Sequence, residues 1–351
     1  MRTRSLNRIV LLQFLINGAL MVNSLSVKTS IFYYPWYGNP GTDGHWIHWD
    51  QNNHQPPDDI GANFYPSLSA YSSRNAIVLV QHMSWLRSAN VGILVTSWWG
   101  KGTHEDHLTR NVLDAAREYG LEVAFHIEPY SGRSAASIKD DIQYIYTNYG
   151  THPAFHKQVR STKWGPSNIA RGVFYIFESL KINDASWTQM LDSIRGTVLD
   201  SIVIGQTTDI SRVDSSHFDG LYTYDAYNID GSIFKAVSDG LKQKNSIFSA
   251  SLGPGYVDTR AVPGSTRDKS RQNGNTYDFM WQYAINAQVE WVSITSFNEW
   301  HEGSQIEPAI VKSIGNYEYM NYEGAYGKTG SDAQNAYLNR TAYWINLYEG
   351  L

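Results

Sequence analysis

The run SITSFNEWHEGSQIEP, which begins at Ser293, is apolar and β-branched at first and then turns abruptly to Glu299, Trp300, His301 and Glu302. Carboxylates are among the residues least often buried without partners, so two glutamates at the end of a strand pattern need a reason. Either the strand ends in solvent, or the pair does general acid–base chemistry. His301-Glu302 resembles the start of a zinc-ligand helix, but position 305, where the second histidine would stand, is Gln. His45 and His48, near Asp43, are scattered histidines on a ring-rich segment, a setting that suits hydrogen bonds to a ligand better than a metal site. No GxSxG nucleophile turn occurs, and Gly253-Pro254-Gly255 is too short and proline-locked to cradle a pyrophosphate. With no cysteine, thiol catalysis and zinc–thiolate sites are excluded. No metal or cofactor is expected, and what remains is carboxylate chemistry among aromatic rings, the equipment for cleaving a glycosidic bond.

The rings are abundant: 24 Tyr and 12 Trp. Such flat, amphipathic groups stack on the apolar faces of sugars as readily as they fill a core. A net charge of -5 without any block of like charges gives no hold on nucleic acid or an anionic membrane surface. Residues 1–8 are basic, and residues 9–22 form an apolar run broken by Gln13 and Asn17. That run is shorter than the roughly 18 residues of a spanning helix and is followed by small residues suited to a signal peptidase. We read 1–26 as a signal peptide, with a short signal anchor as the competitor, and 27–351 as one catalytic domain. A membrane is a partner only in the second case. The expected location is the secretory pathway, secreted or in the Golgi lumen, and Asn339-Arg340-Thr341 offers one glycosylation sequon.

Positioning such a site takes a scaffold. Apolar runs of strand length recur as SIFYYPWY, GILVTSWW, EVAFHIEPY, GVFYIFES, DSIVIGQTT, GLYTYDA, SIFSASLGPGY and WVSITSFNEW. Their continuous hydrophobicity is what parallel strands buried on both faces require. Helical spacing lies between them, most clearly from Thr103 to Tyr119, where Thr103 can cap the start and Gly120 can end the helix in a left-handed turn. Ser134 to Tyr149 repeats the device with Gly150, and 185–194 and 234–241 read the same way. Eight such alternations predict a (β/α)8 TIM barrel, a single domain with long loops on the C-terminal face, at 38–72, 255–275 and 301–330. Sorting side chains to that face gives a rim of Trp36, Tyr37, Trp98, Trp99, Glu128, Glu178, Tyr222, Tyr224, Tyr256, Glu299 and Glu302. Glu178 taken alone suits a structural ion pair, for instance with an arginine.

The segments WYGNPGTDGHWIHWD, FYPSLSAYSSR, HIEPYSGR, YGTHPAF, DGLYTY, GPGYVDTR and ITSFNEWHEGSQIEP together resemble glycoside hydrolase family 99, the endo-α-1,2-mannosidases and endo-α-1,2-mannanases. The likeness runs in order along nearly all of 27–351. It implies endo-cleavage of α-mannosides in mannan or in glucosylated high-mannose glycans, with retention at the anomeric carbon. Glu302 then resembles the general acid/base and Glu299 the partner that deprotonates the sugar 2-hydroxyl, which attacks its own anomeric carbon. On that reading Glu302 is kept protonated by an apolar surround such as Trp300, while Glu299 stays ionised. Glu128, Trp99 and Tyr224 resemble the family's sugar-binding residues, His45, Trp46 and His48 its first-loop motif, and Asn298 belongs to the same NEW motif as Glu299. Asp225 departs from the family, which carries an aromatic there, and the lysine some bacterial members have in the first loop finds no match around His48. Trp99 resembles the bacterial mannan-cutting members, since the animal members place a tyrosine there. A mannoside-binding barrel without catalysis and a glycosidase of another barrel family are the alternatives, and identification of a released disaccharide separates them.

Overall fold

The structure, a computed structural model, describes residues 25–165 and 168–350. The expected leader, 1–26, lies outside the described residues except for Leu25 and Ser26. Eight parallel strands form a closed barrel: β1 (Thr29–Tyr33), β2 (Ile93–Trp98), β3 (Glu122–Ile127), β4 (Ala170–Ile176), β5 (Ser201–Gln206), β6 (Gly220–Tyr222), β7 (Ile247–Leu252) and β8 (Trp291–Ile294). Each pairs with its neighbours in sequence, and β8 returns to β1 with Thr29 opposite Val292. A helix packs after each strand: α1 (Ala76–Ser88), α2 (His104–Glu118), α3 (Ala135–Tyr149), α4 (Asp184–Ile194), the single turn α5 (Arg212–Ser215), α6 (Phe234–Gln243), α7 (Asn275–Asn286) and α8 (Ala336–Glu349), with further single turns at Pro40–Asp43 and Ser331–Gln334 in the loops after β1 and β8. The predicted (β/α)8 barrel is therefore what the chain forms. Among the described residues no helix is long and apolar enough to cross a membrane.

Local chemistry explains the helix ends. Thr103 caps α2 by accepting the Asp106 N–H, and Gly120 just beyond it takes φ +72°. Ser134 and Ser137 cap α3 reciprocally. Gly150 corrects the expectation of a repeated left-handed stop: its φ is -59°, and what demands glycine is space, because a Cβ would lie 2.4 Å from the Tyr146 carbonyl oxygen.

The barrel is packed with rings and hydroxyls. Phe32 lies against His126, Tyr175, Tyr222 and Tyr224 at centroid distances of 4.7, 5.8, 5.7 and 4.9 Å. Ser249 and Ser251 both bond Ser293 across β7 and β8, at 3.1 and 2.9 Å. The long loops all follow strand C-termini and are stitched together: Tyr65–Pro66 pairs with Ala309–Ile310, and Tyr256–Val257 with Asp268–Lys269. Segments expected to be irregular thus supply ladders that hold the rim.

Candidate active site

Strand alternation decides which rim residues face the site. Ser97 points inward and donates to Glu128 at 2.8 Å. Trp98 therefore points outward, fully buried, with its indole N–H on Asp106 of α2 at 3.0 Å. It belongs to the layer between barrel and helices, which corrects its place on the rim. Trp99, just past the strand, is half-buried, and its indole N–H meets no partner. Glu128 is 3% exposed and lies 2.9 Å from His126 Nδ1, off the line of a hydrogen bond, while His126 Nε2 is 2.7 Å from the Tyr222 hydroxyl.

Beyond Ile294 the chain crosses the barrel top and carries both glutamates. Ser296 Oγ accepts the Glu299 N–H at 2.8 Å. The Tyr37 hydroxyl donates to the Asn298 carbonyl at 3.0 Å and accepts the Trp300 N–H at 3.1 Å. The Asn298 side chain bonds both the N–H and the C=O of Tyr34, at 2.8 and 3.0 Å. A single turn, Trp300–Glu302, then presents Glu302, and Gly303 reverses the chain at φ +57°.

Glu299 is 7% exposed, and its Oε2 accepts the Tyr224 hydroxyl at 2.5 Å, with the Tyr34 hydroxyl bonded to Tyr224 in turn. Burial raises Glu299 well above the usual carboxylate range, Glu302 adds to the rise, and the Tyr224 hydroxyl opposes it. Burial pushes Glu302 up to about 7, against a hydrogen bond with Glu299 and the positive charge of Arg267. Two interacting carboxyls titrate as a pair. The Tyr224 O–H favours the charged form of Glu299. Trp300, expected to shield Glu302, instead sends its indole N–H to Glu307 at 2.9 Å. Around Glu302 stand Tyr256, whose hydroxyl is 3.4 Å from Oε1, and the pair Arg267 and Asp258. Beside it opens a cleft of about 170 Å³ lined by Phe177, Gln206, Tyr224, Tyr227, Tyr256 and Arg267.

The other predicted site residues divide by exposure. Tyr37, Tyr222, Asn298 and Trp300 are each 0% exposed. Tyr37, Asn298 and Trp300 bond the backbone or partners of the segment that carries Glu299, and Tyr222 bonds His126. His45 is exposed, and Trp46 and His48 are half-buried. His48 stacks on Trp36 at 4.6 Å, and its carbonyl lies 2.8 Å from His301 Nε2. Burial, helped by a neighbouring histidine, pushes His48 down to about 4 and His301 to about 3, so both are neutral. Among the described residues no group of three or more His, Asp or Glu is placed to hold a metal. Glu178 pairs with Lys181 at 2.5 Å, not with an arginine. Asp225 caps its own turn, accepting the N–H groups of Tyr227 and Asn228 at 2.9 and 2.8 Å. Tyr34 was missed in the sequence, although it shares the inward alternation of Phe32; Ser296, Asp258 and Arg267 carried no signal of their own.

A family description, Glycosyl hydrolase family 99, matches residues 24–350. The chain belongs to glycosyl hydrolase family 99. It is therefore a glycoside hydrolase. It is similar to the glycoprotein endo-alpha-1,2-mannosidase-like protein of Homo sapiens, 39% identical over 342 residues that cover 86% of this chain and 73% of that protein. It is also similar to the glycoprotein endo-alpha-1,2-mannosidase of Rattus norvegicus, 36% identical over 353 residues, 90% of this chain and 74% of that one. Among solved structures, the GH99 endo-alpha-mannosidase from Bacteroides thetaiotaomicron superposes with a TM-score of 0.83 at 36% identity, covering 93% of this chain and 98% of that one.

Proposed function

We propose that this family 99 hydrolase is a retaining endo-α-1,2-mannosidase that cuts internal α-mannosidic bonds in mannose-containing glycans of the secretory pathway. The observation that carries the reading is the pairing of Glu299 and Glu302 at the barrel mouth, with the Tyr224 O–H on Glu299 and burial raising both carboxyls above their ordinary range. Glu302 gives its proton to the glycosidic oxygen as the bond to the leaving glycan breaks. Glu299 takes the proton of the 2-hydroxyl, whose oxygen closes on the anomeric carbon. Water then opens this 1,2-anhydro sugar from the face the leaving glycan vacated, opposite the anhydro oxygen, with Glu302 now the base and Glu299 returning its proton. Glu128 and Trp99 bind sugar on the β2–β3 side, and the Arg267 cleft takes the leaving glycan.

The names of the relatives support the substrate class, and the half-buried, unpartnered indole of Trp99 suits mannose in the position it faces. Digestion of α-mannan and of a glucosylated high-mannose glycan, with product identification, tests the reading. The expected products are defined oligosaccharides from internal cleavage, the α-anomer appearing first by NMR and no sugar ester trapped on any carboxylate. Binding without cleavage would make the barrel a lectin, and a β-anomer first would remove the retaining mechanism.

A further inference from the structure

The proposed reaction makes no use of Glu307, yet its carboxylate and the His82 ring are both 0% exposed. Three donors converge on it: the Tyr71 hydroxyl at 2.8 Å and the Trp300 indole N–H at 2.9 Å on Oε2, and His82 Nε2 at 3.2 Å from Oε1. The Tyr33 hydroxyl is 3.0 Å from His82 Nδ1, so the tautomer protonated at Nε2 satisfies both contacts. Because the Tyr71 O–H is committed to Glu307, its oxygen is left to accept Asn298 Nδ2 and Trp300 Nε1, each at 3.3 Å. Asn298 and Trp300 are the two residues that flank Glu299. The Glu307 N–H also bonds the Phe297 carbonyl at 2.8 Å, folding the segment back on itself. A carboxylate this deep is costly without partners, and here every partner either holds or supports the catalytic segment.

We propose that Glu307, backed by His82, is the positioning residue that sets Glu299 against Glu302, acting through Trp300 and Tyr71. The inference rests on the acid/base reading above. In Glu307→Gln an amide that donates faces three donors, and its single oxygen cannot serve them all. The expected result is a fall in kcat of about 10- to 100-fold, as for a sub-ångström to ångström misplacement of a reacting group. KM should change little, because Glu128 and Trp99 stand at the ends of other strands. The alkaline limb of the pH–rate profile should also move, since burial and the hydrogen bond between Glu302 and Glu299 set it and both depend on how the two carboxyls are placed. Tyr71→Phe removes the bond to Glu307 and the acceptor for Asn298 and Trp300 but leaves Glu307 bonded to Trp300 and His82, so it should shift both readouts in the same direction by less; it decides the matter if Glu307→Gln does not fold. Folded variants with a lower unfolding temperature but wild-type kcat and pH limbs would overturn the proposal. Glu299→Gln, measured in parallel, separates the two failures: if it stays active, the acid/base reading falls, and if it is dead while the Glu307 and Tyr71 variants turn over normally, only this inference falls.

Discussion

Glu302 is a liability to the fold that its replacement should relieve. Its folded pKa is about 7, against an ordinary value of 4.5. Between those values the native state binds more protons than the unfolded chain, so stability falls as pH rises through the window. Glu302→Gln cannot ionise and escapes that loss. We expect its unfolding temperature to exceed that of the wild type near pH 8, by the equivalent of about 3 kcal/mol at most, with the difference vanishing toward pH 4.5. Its kcat should fall by about 10²- to 10⁴-fold, the usual contribution of a general acid/base. Thermal unfolding and turnover measured across this range check both, and a variant no more stable at pH 8 would show that the carboxyl is not held high. Trp99 calls for a different measurement, because it concerns selection. Its indole offers a donor and no acceptor, so Trp99→Tyr should move the ratio of catalytic efficiencies on α-Man-1,3-α-Man and α-Glc-1,3-α-Man substrates toward glucose. A hydrogen bond of this kind is worth about 0.5–1.5 kcal/mol, roughly tenfold at most. An unmoved ratio would leave Trp99 a packing residue.

The turn after the catalytic segment shows how much one backbone position decides. At Gly303, φ is +57°, and a Cβ would fall 2.5 Å from Val257 Cγ1 and 2.7 Å from the Val257 carbonyl oxygen. Gly303→Ala should therefore push the Glu302 turn away from the Tyr256–Val257 ladder, costing about 1–3 kcal/mol of strain. A lowered denaturation midpoint together with a lower kcat is expected, and wild-type values for both would contradict it. That the segment ended in two neighbouring carboxylates at the barrel mouth was legible in the sequence, as were all eight strands, because strands buried on both faces read as unbroken apolar runs. Helix α1 was not: AIVLVQHMSWLRS leaves Ile77 79% and Val80 48% exposed, so it shows no clear apolar stripe. Alternation would have found Tyr34 and turned Trp98 outward. Glu307 was out of reach for another reason, since its partner His82 lies 225 residues away and nothing local names it.

The two ends of the barrel do different work. Glu299, Glu302 and the knitted loops occupy the C-terminal face, whereas a buried arginine–aspartate cluster lies at the N-terminal ends of β5 and β6. There Asp200 and Asp219 just precede the two strands. Arg160 Nε bonds Asp219 at 2.9 Å and its Nη1 bonds Asp200 at 3.1 Å, while Arg195 reaches Asp219 at 2.9 Å and Arg171 reaches Asp200 at 3.2 Å. Conserving stability is the role this end of a barrel usually has. Removing the central cation leaves two buried carboxylates short of partners, which is worse than never having had the pair. Arg160→Met should therefore cost about 3–5 kcal/mol, read as a lower denaturant midpoint, with kcat per folded molecule unchanged. The pH dependence carries a second signature. Burial raises Asp200, but the hydrogen bonds and charge of Arg160, together with hydrogen bonds from Gly196 and Arg171, outweigh it and hold the carboxyl below its ordinary 3.8. The wild-type contribution is then complete above about pH 4 and is lost as pH falls through the lowered native value. In Arg160→Met that acid-side loss should shrink. A parallel fall of kcat in the folded variant would instead couple the cluster to the active site across the barrel.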